Sequence, residues 1–153
     1  LERFEGSLQK LIKSHYRKNE RARNSFLELI EYFISELRKN PGSCPLSEDE
    51  GFPKGCHQPV FKFRKIRFDM PELQGATGCG RLIYVIHEEL CIVYLVWVYT
   101  HKEFRRRPHD DDLRREFLII QQNAESNLEA EPPAGNQLGQ GLCLNLVSFV
   151  YGV

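Results

Sequence analysis

A set of cationic side chains in the middle of the sequence can meet phosphate: Lys62, Arg64, Lys65, Arg67, Arg81, His101, Arg105, Arg106 and Arg107. Planar guanidinium groups grip phosphate oxygens through paired hydrogen bonds, so arginines converging on one surface suit a polyanion. The same charges without a target make only a solvated basic face. Histidine titrates near neutrality and can move a proton. His101, close to Tyr99 and Phe104, is the strongest candidate for that role; His15, His57, His87 and His109 have weaker neighbours.

Other chemistries find less support. Nothing suggests a serine or cysteine triad. Asp110, Asp111 and Asp112 are consecutive and point in different directions, which fits the first turn of a helix better than a divalent ion. The cysteines, Cys44, Cys56, Cys79, Cys91 and Cys143, are odd in number and include no C-x-x-C pair, so they read as free thiols in a reducing cytosol. Cys44, Cys56 and His57 lack the paired spacing of a structural zinc site. The glycines from Gly75 to Gly80 match neither a Walker loop nor a dinucleotide fingerprint. No metal and no cofactor are expected.

The cations need a scaffold. Phe4, Leu8, Leu11 and Ile12 recur at helical spacing and predict a helix over 4–17. Phe26, Leu29, Ile30, Phe33, Ile34 and Leu37 predict a second over 24–38, stopped by Asn40-Pro41-Gly42. Together they make a helical hairpin. Residues 40–59, rich in proline and glycine and carrying Glu48, Asp49 and Glu50, read as a loop. Strands are predicted over 60–69, 81–87 and 91–100, where β-branched and aromatic residues concentrate. The hairpin is expected to pack Leu11, Phe26, Ile30 and Phe33 on a face holding some of Ile83, Val85, Val93 and Leu95. The third strand, apolar on both sides, is expected to be central or doubly covered.

In the first strand the apolar and basic phases swap near Arg64-Lys65, which predicts a β-bulge there. Gly75, Gly78 and Gly80 suit positive-φ turns. After Asp110–Asp112 a short helix is expected to reach about Gln122. Residues 123–141 then read as linker or disorder, and 142–153 as an apolar end. The division is therefore a domain over 1–122 and an atypical, flexible tail over 123–153.

The chain has 153 residues, 41% of them hydrophobic, which is room for one domain. Its net charge of zero hides a split. Residues 1–115 carry +4 and 116–153 carry −4, while 54–107 alone carry +5. A modestly basic centre fits a polyanion partner. No run of about 18 uncharged apolar residues exists, so no membrane span is expected. No secretory signal heads the sequence, and it opens on Leu1 as a fragment or processed chain would. A cytoplasmic location follows as the expectation.

The run FKFRKIRFDMPELQGATGCGRLIYVIHEELCIVYLVWVYTHKEFRRRP, Phe61 to Pro108, resembles the sheet of RelE/ParE-superfamily toxins, in the versions common in bacterial chromosomal toxin–antitoxin loci. The similarity extends over roughly residues 4–117. Its most specific pieces are the basic strand, Gly80 to Tyr84 and Tyr99 to Phe104. The resemblance implies an α+β fold, a helical hairpin on a curled antiparallel sheet. It implies a type II toxin: a metal-independent endoribonuclease (mRNA interferase) cutting mRNA on the ribosome, held in check by a cognate antitoxin protein. Catalytic roles then fall to Lys65, Arg81 and His101, with Arg81 on the scissile phosphate and Lys65 or His101 on the 2′-OH. RNA phosphates fall to Lys62, Arg64, Arg67, Arg105 and Arg106. The alternative is a non-enzymatic binding module, either a ParE-type inhibitor of DNA gyrase or an inactive remnant that only binds antitoxin. Two features depart from the family. The usual strand ahead of the first helix is missing or reduced to Leu1–Phe4, which predicts an exposed sheet edge. Residues 116–153 hold no Lys or Arg, unlike the family's basic C-terminus.

Overall fold

The helical spacing read from the sequence produces α1 (Glu2–His15), which buries Phe4 and Leu11 and half-buries Leu8 and Ile12. The structure, a computed structural model, describes residues 2–129 and 148–152. The second helix, α2 (Glu20–Lys39), starts at Glu20 and not at Asn24. The Asn19 side chain accepts the Ala22 N–H at 3.0 Å, and Glu20 adds an acid to the first turn. Ala22, Phe26, Ile30, Phe33 and Leu37 form its buried face.

Five strands form one antiparallel sheet in chain order: β1 (Ser47–Asp49), β2 (Phe61–Asp69), β3 (Cys79–His87), β4 (Ile92–Thr100) and β5 (Ser148–Val150). A single turn, α3 (Gly75–Gly78), joins β2 to β3, and α4 (Asp110–Glu129) follows β4. The three strands expected from the sequence lie within about two residues of their predicted bounds. β1 falls in the segment predicted as loop, and β5 in the apolar end read as tail. The loop predicted over 40–59 contains β1, whose acidic side chains carry no apolar alternation.

The pairing of β2 with β3 runs without a break from Phe61↔His87 to Asp69↔Cys79, so the expected bulge at Arg64-Lys65 is absent. The swap of phase has another cause: the two faces of β2 are covered at opposite ends. Phe68 meets Phe26 and Phe33 of α2, with ring centroids 6.5 and 5.3 Å apart. On the other face Phe61 and Phe63 meet Phe117 of α4, and Phe63 also meets Phe52. The sheet therefore lies between the helical hairpin and α4. Strand alternation and register put Val93 and Leu95 on the hairpin face, and Ile83 and Val85 on the α4 face. The irregularity falls between Ile83 and Tyr84, where β4 fits Val96 in as an extra residue.

Of the three glycines near the β2–β3 connection, only Gly75 has positive φ (64°). Close approach explains the other two. A Cβ on Gly78 would lie 2.6 Å from the Leu73 carbonyl oxygen, and one on Gly80 would run into the Phe68 ring.

The edge of β4 is covered. Where β5 does not reach, the Val98 N–H donates to Ser7 Oγ of α1 at 3.1 Å. Where β5 does reach, it pairs with Ile92–Tyr94. Beyond it, the Tyr151 N–H donates to the Cys91 carbonyl, and the Gly152 N–H to the Arg38 carbonyl at the end of α2. The boundary expected near Gln122 falls inside α4, and residues 148–150 join the sheet. The expectation of a linker over 123–141 fails for 123–129, which are helical; its remainder lies outside the described residues.

Candidate functional site

The strand register decides which cations can meet. Arg67, Arg81 and Tyr99 form one row across β2, β3 and β4. Side chains two apart on a strand share a face, so Lys65 joins Arg67, and His101 follows Tyr99 just past the end of β4. The His101 N–H donates to the Cys79 carbonyl at 2.9 Å, continuing the ladder. Lys65, Arg67 and Arg81 thus share the α4 face of the sheet, Lys65 buried and Arg67 exposed, with His101 in the turn just beyond β4.

The other predicted residues divide. Lys62 and Arg64 lie on the opposite face. Lys62 pairs with Glu88 at 2.6 Å, and Arg64 pairs with Asp49 at 2.6 Å and donates to Ser47 Oγ. Arg105 and Arg106 are exposed in the segment after β4, outside any ion pair among the described residues. That segment is tied down by Tyr99, whose hydroxyl donates to the Arg106 carbonyl at 3.1 Å. Arg107 turns inward to Glu50, Asp110 and the carbonyls of Gly51 and Phe52.

Two carboxylates that the sequence reading treated as loop residues are central here. Glu50, mostly buried, takes hydrogen bonds from both Lys65 and Arg107. Glu48 takes one from Arg67 at 2.7 Å and lies 3.5 Å from Lys65. Partial burial works against the Glu48 charge, but the hydrogen bond and charge of Arg67, with Lys65, hold its carboxyl below the usual range. The clue was an acidic triplet facing a basic strand across a proline-glycine loop, a pattern of cross-strand charge pairs.

Tyr99 reports the field of the cluster. Burial pushes its phenol well above the usual range and Glu50 adds to this, while Arg81, Arg107 and Arg67 pull the other way. It is a neutral donor. Arg81 differs from its neighbours. Its Nη1 is buried and meets no hydrogen-bond partner, as does Nδ1 of His101. Beside Arg81 is an open hollow of about 290 Å³, lined by Leu46, Arg67, Phe68, Asp69, Cys79 and Gly80 as well.

Among the described residues no group of three or more His, Cys, Asp or Glu could hold a metal ion. Asp110, Asp111 and Asp112 turn to different cations, Arg107, Arg114 and Arg115. The Lys54 N–H, followed by Arg107, holds the Asp110 carboxyl below its ordinary value against the effect of burial. Cys44, Cys56, Cys79 and Cys91 are free thiols. No described helix is long and apolar enough to cross a membrane. No family model, no curated protein and no solved structure matches the chain.

Proposed function

We propose that this chain is a RelE/ParE-type toxin that cleaves mRNA on the ribosome by transesterification, with its own residues supplying the acid and base. The observation that carries this reading is the row Arg67–Arg81–Tyr99, with the two arginines lining one open hollow. Two guanidinium groups at one hollow suit a phosphate, whose oxygens they can grip in pairs. In the reaction the ribose 2′-oxygen bonds to the adjacent phosphorus as the bond to the 5′-oxygen breaks. Arg81 holds the phosphate and stabilises its developing charge. His101 takes the 2′-OH proton. Lys65 is an ion-paired cation, so it serves better as the group assisting the 5′-oxygen's departure. Arg105 and Arg106 meet flanking phosphates.

On translating ribosomes the purified protein should cut mRNA, leaving cyclic or 3′-phosphate and 5′-hydroxyl ends, with 5′-end mapping as the readout. Arg81→Ala should slow cleavage by about a hundredfold, by analogy with the loss of one oxyanion donor. Chelation of metals should not slow it while the ribosomes stay intact. The non-enzymatic reading draws on the ion pairs of Lys62, Arg64, Lys65, Arg67 and Arg107, which leave few free cations for RNA. It gains if mRNA stays uncut while gyrase cleavage complexes accumulate.

A further inference from the structure

We infer that the acidic strand β1 is a built-in competitor for RNA, a carboxylate mask that phosphates must displace from the cationic sheet. This rests on the proposed ribonuclease reading. In register, Glu48 opposes Lys65, and Asp49 opposes Arg64. The side-chain pairs are either directly opposed, Glu48 to Lys65 and Asp49 to Arg64, or diagonal by two residues on the same face, Glu48 to Arg67 and Glu50 to Lys65; Glu50 also reaches Arg107. Glu48 and Glu50 share a strand face, about 6.7 Å apart at the usual rise. They meet the cations as successive phosphates of an extended single strand would.

The mask has a fixed part and a loose part. The strand is anchored at both ends, by a side chain at Ser47 and by backbone at Gly51. Ser47 Oγ lies 2.6 Å from the Tyr84 hydroxyl, which donates to the Pro41 carbonyl, and Arg107 binds the Gly51 carbonyl. Glu50 is fixed, with a side chain only 12% exposed. Glu48 and Asp49 are loose, at 45% and 86%. Exposed pairs of this kind hold weakly and exchange readily. On the face of Lys65 and Arg67, RNA therefore needs only the Glu48 side chain to swing aside, with no refolding of β1; Asp49 and Arg64 lie on the other face. Such an exchange also alters the salt dependence. Each displaced carboxylate takes up a counterion as a phosphate gives one up, so these contacts contribute little net ion release.

The test is binding of a short labelled single-stranded RNA, without ribosomes, to the full chain across a range of salt. Glu48→Gln should tighten binding several-fold at low salt. It should also steepen the salt slope by about 0.7, the value for one phosphate on a single strand. A control, Glu28→Gln on an exposed α2 position, changes net charge equally and should tighten binding far less. Equal tightening by the control, or none by Glu48→Gln, overturns the proposal. If Glu48→Gln fails to fold, Glu48→Asp, whose shorter side chain retreats from Arg67, must show the same direction of effect. The two readings fail separately. RNA that binds the mask variants more tightly while mRNA stays uncut on ribosomes removes the ribonuclease and leaves the mask. Cleavage by the wild type with no gain in binding by the variants does the reverse. No binding by either removes both.

Discussion

Glu50 joins the chemistry of the site to the stability of the fold. It is buried between Lys65 and Arg107, and it reaches them because the Glu50 N–H continues the β1–β2 ladder to the Phe63 carbonyl at 2.9 Å. Removing one member of a buried pair strands the other charge. Glu50→Ala should therefore lower stability by about 3 kcal/mol, read as a shift of the urea midpoint. Adding Lys65→Met to that variant should restore part of the loss, since an apolar chain of similar length needs no partner. An unchanged midpoint in Glu50→Ala would show that water already reaches this pair. Gly80 gives a second residue-scale expectation. Its Cβ would overlap the Phe68 ring, which is itself packed on α2, so Gly80→Ala should cost about 1–3 kcal/mol by overpacking.

At the scale of elements, β4 depends on its two ends. The β3–β4 turn is held by the Leu90 N–H, which donates to His87 Nδ1 at 3.1 Å, while the His87 ring packs edge-on against Phe61 at 4.7 Å. Burial lowers the His87 pKa from 6.5, against the pull of Glu89. A depressed histidine contributes stability that is complete above about pH 6.5 and is lost as pH falls through its folded value. Amide exchange at Leu90, corrected for the intrinsic rate, should accelerate below pH 6.5, because protonated Nδ1 cannot accept. A flat corrected rate would remove the role given to His87. At the other edge, a chain ended at Glu129 loses β5, its pairing to Ile92–Tyr94 and the clasp on the Arg38 carbonyl. Its melting temperature should drop by several degrees, and an unchanged transition would make β5 an ornament. These elements also mark where the sequence was legible. The hairpin and β2, β3 and β4 could be read because each buries a regular apolar pattern. In contrast, β1 is held by charge pairs across the ladder, which hydrophobic periodicity does not register. Asn19 is not legible as a cap because it sits in the polar stretch from Arg17 to Arg23, which carries no apolar periodicity to mark where α2 begins. Lys65 and Arg81 could be placed on one surface only once the register was known, since a shift of one residue reverses every side chain.

For the whole molecule, a net charge of zero conceals opposed titrations, and their signs can be separated. Glu48 and Asp110, held below the usual range, contribute stability that is complete above their ordinary values near 4 and is lost as pH falls through their folded values. Glu116 works the other way. It is buried in α4 against the sheet, with Arg3 at 3.4 Å, and Arg3 in turn lies 4.6 Å over the Trp97 ring. Burial raises its carboxyl above 4.5. Arg3 opposes the rise through a hydrogen bond and its charge, and Asp112 adds to it. The folded state therefore prefers Glu116 protonated. Its ionisation is a penalty that is absent below about pH 4.5 and complete above the folded value. Glutamine keeps the size and a polar tip but cannot ionise. Urea midpoints of the wild type and Glu116→Gln, measured from pH 4 to pH 8, should coincide near the acid end. They should separate with the variant more stable towards neutrality, reduced only by the loss of a half-exposed pair with Arg3. A difference independent of pH would mean that Glu116 is not desolvated, and that Arg3 holds α1 to β4 through packing on Trp97 rather than to α4 through Glu116.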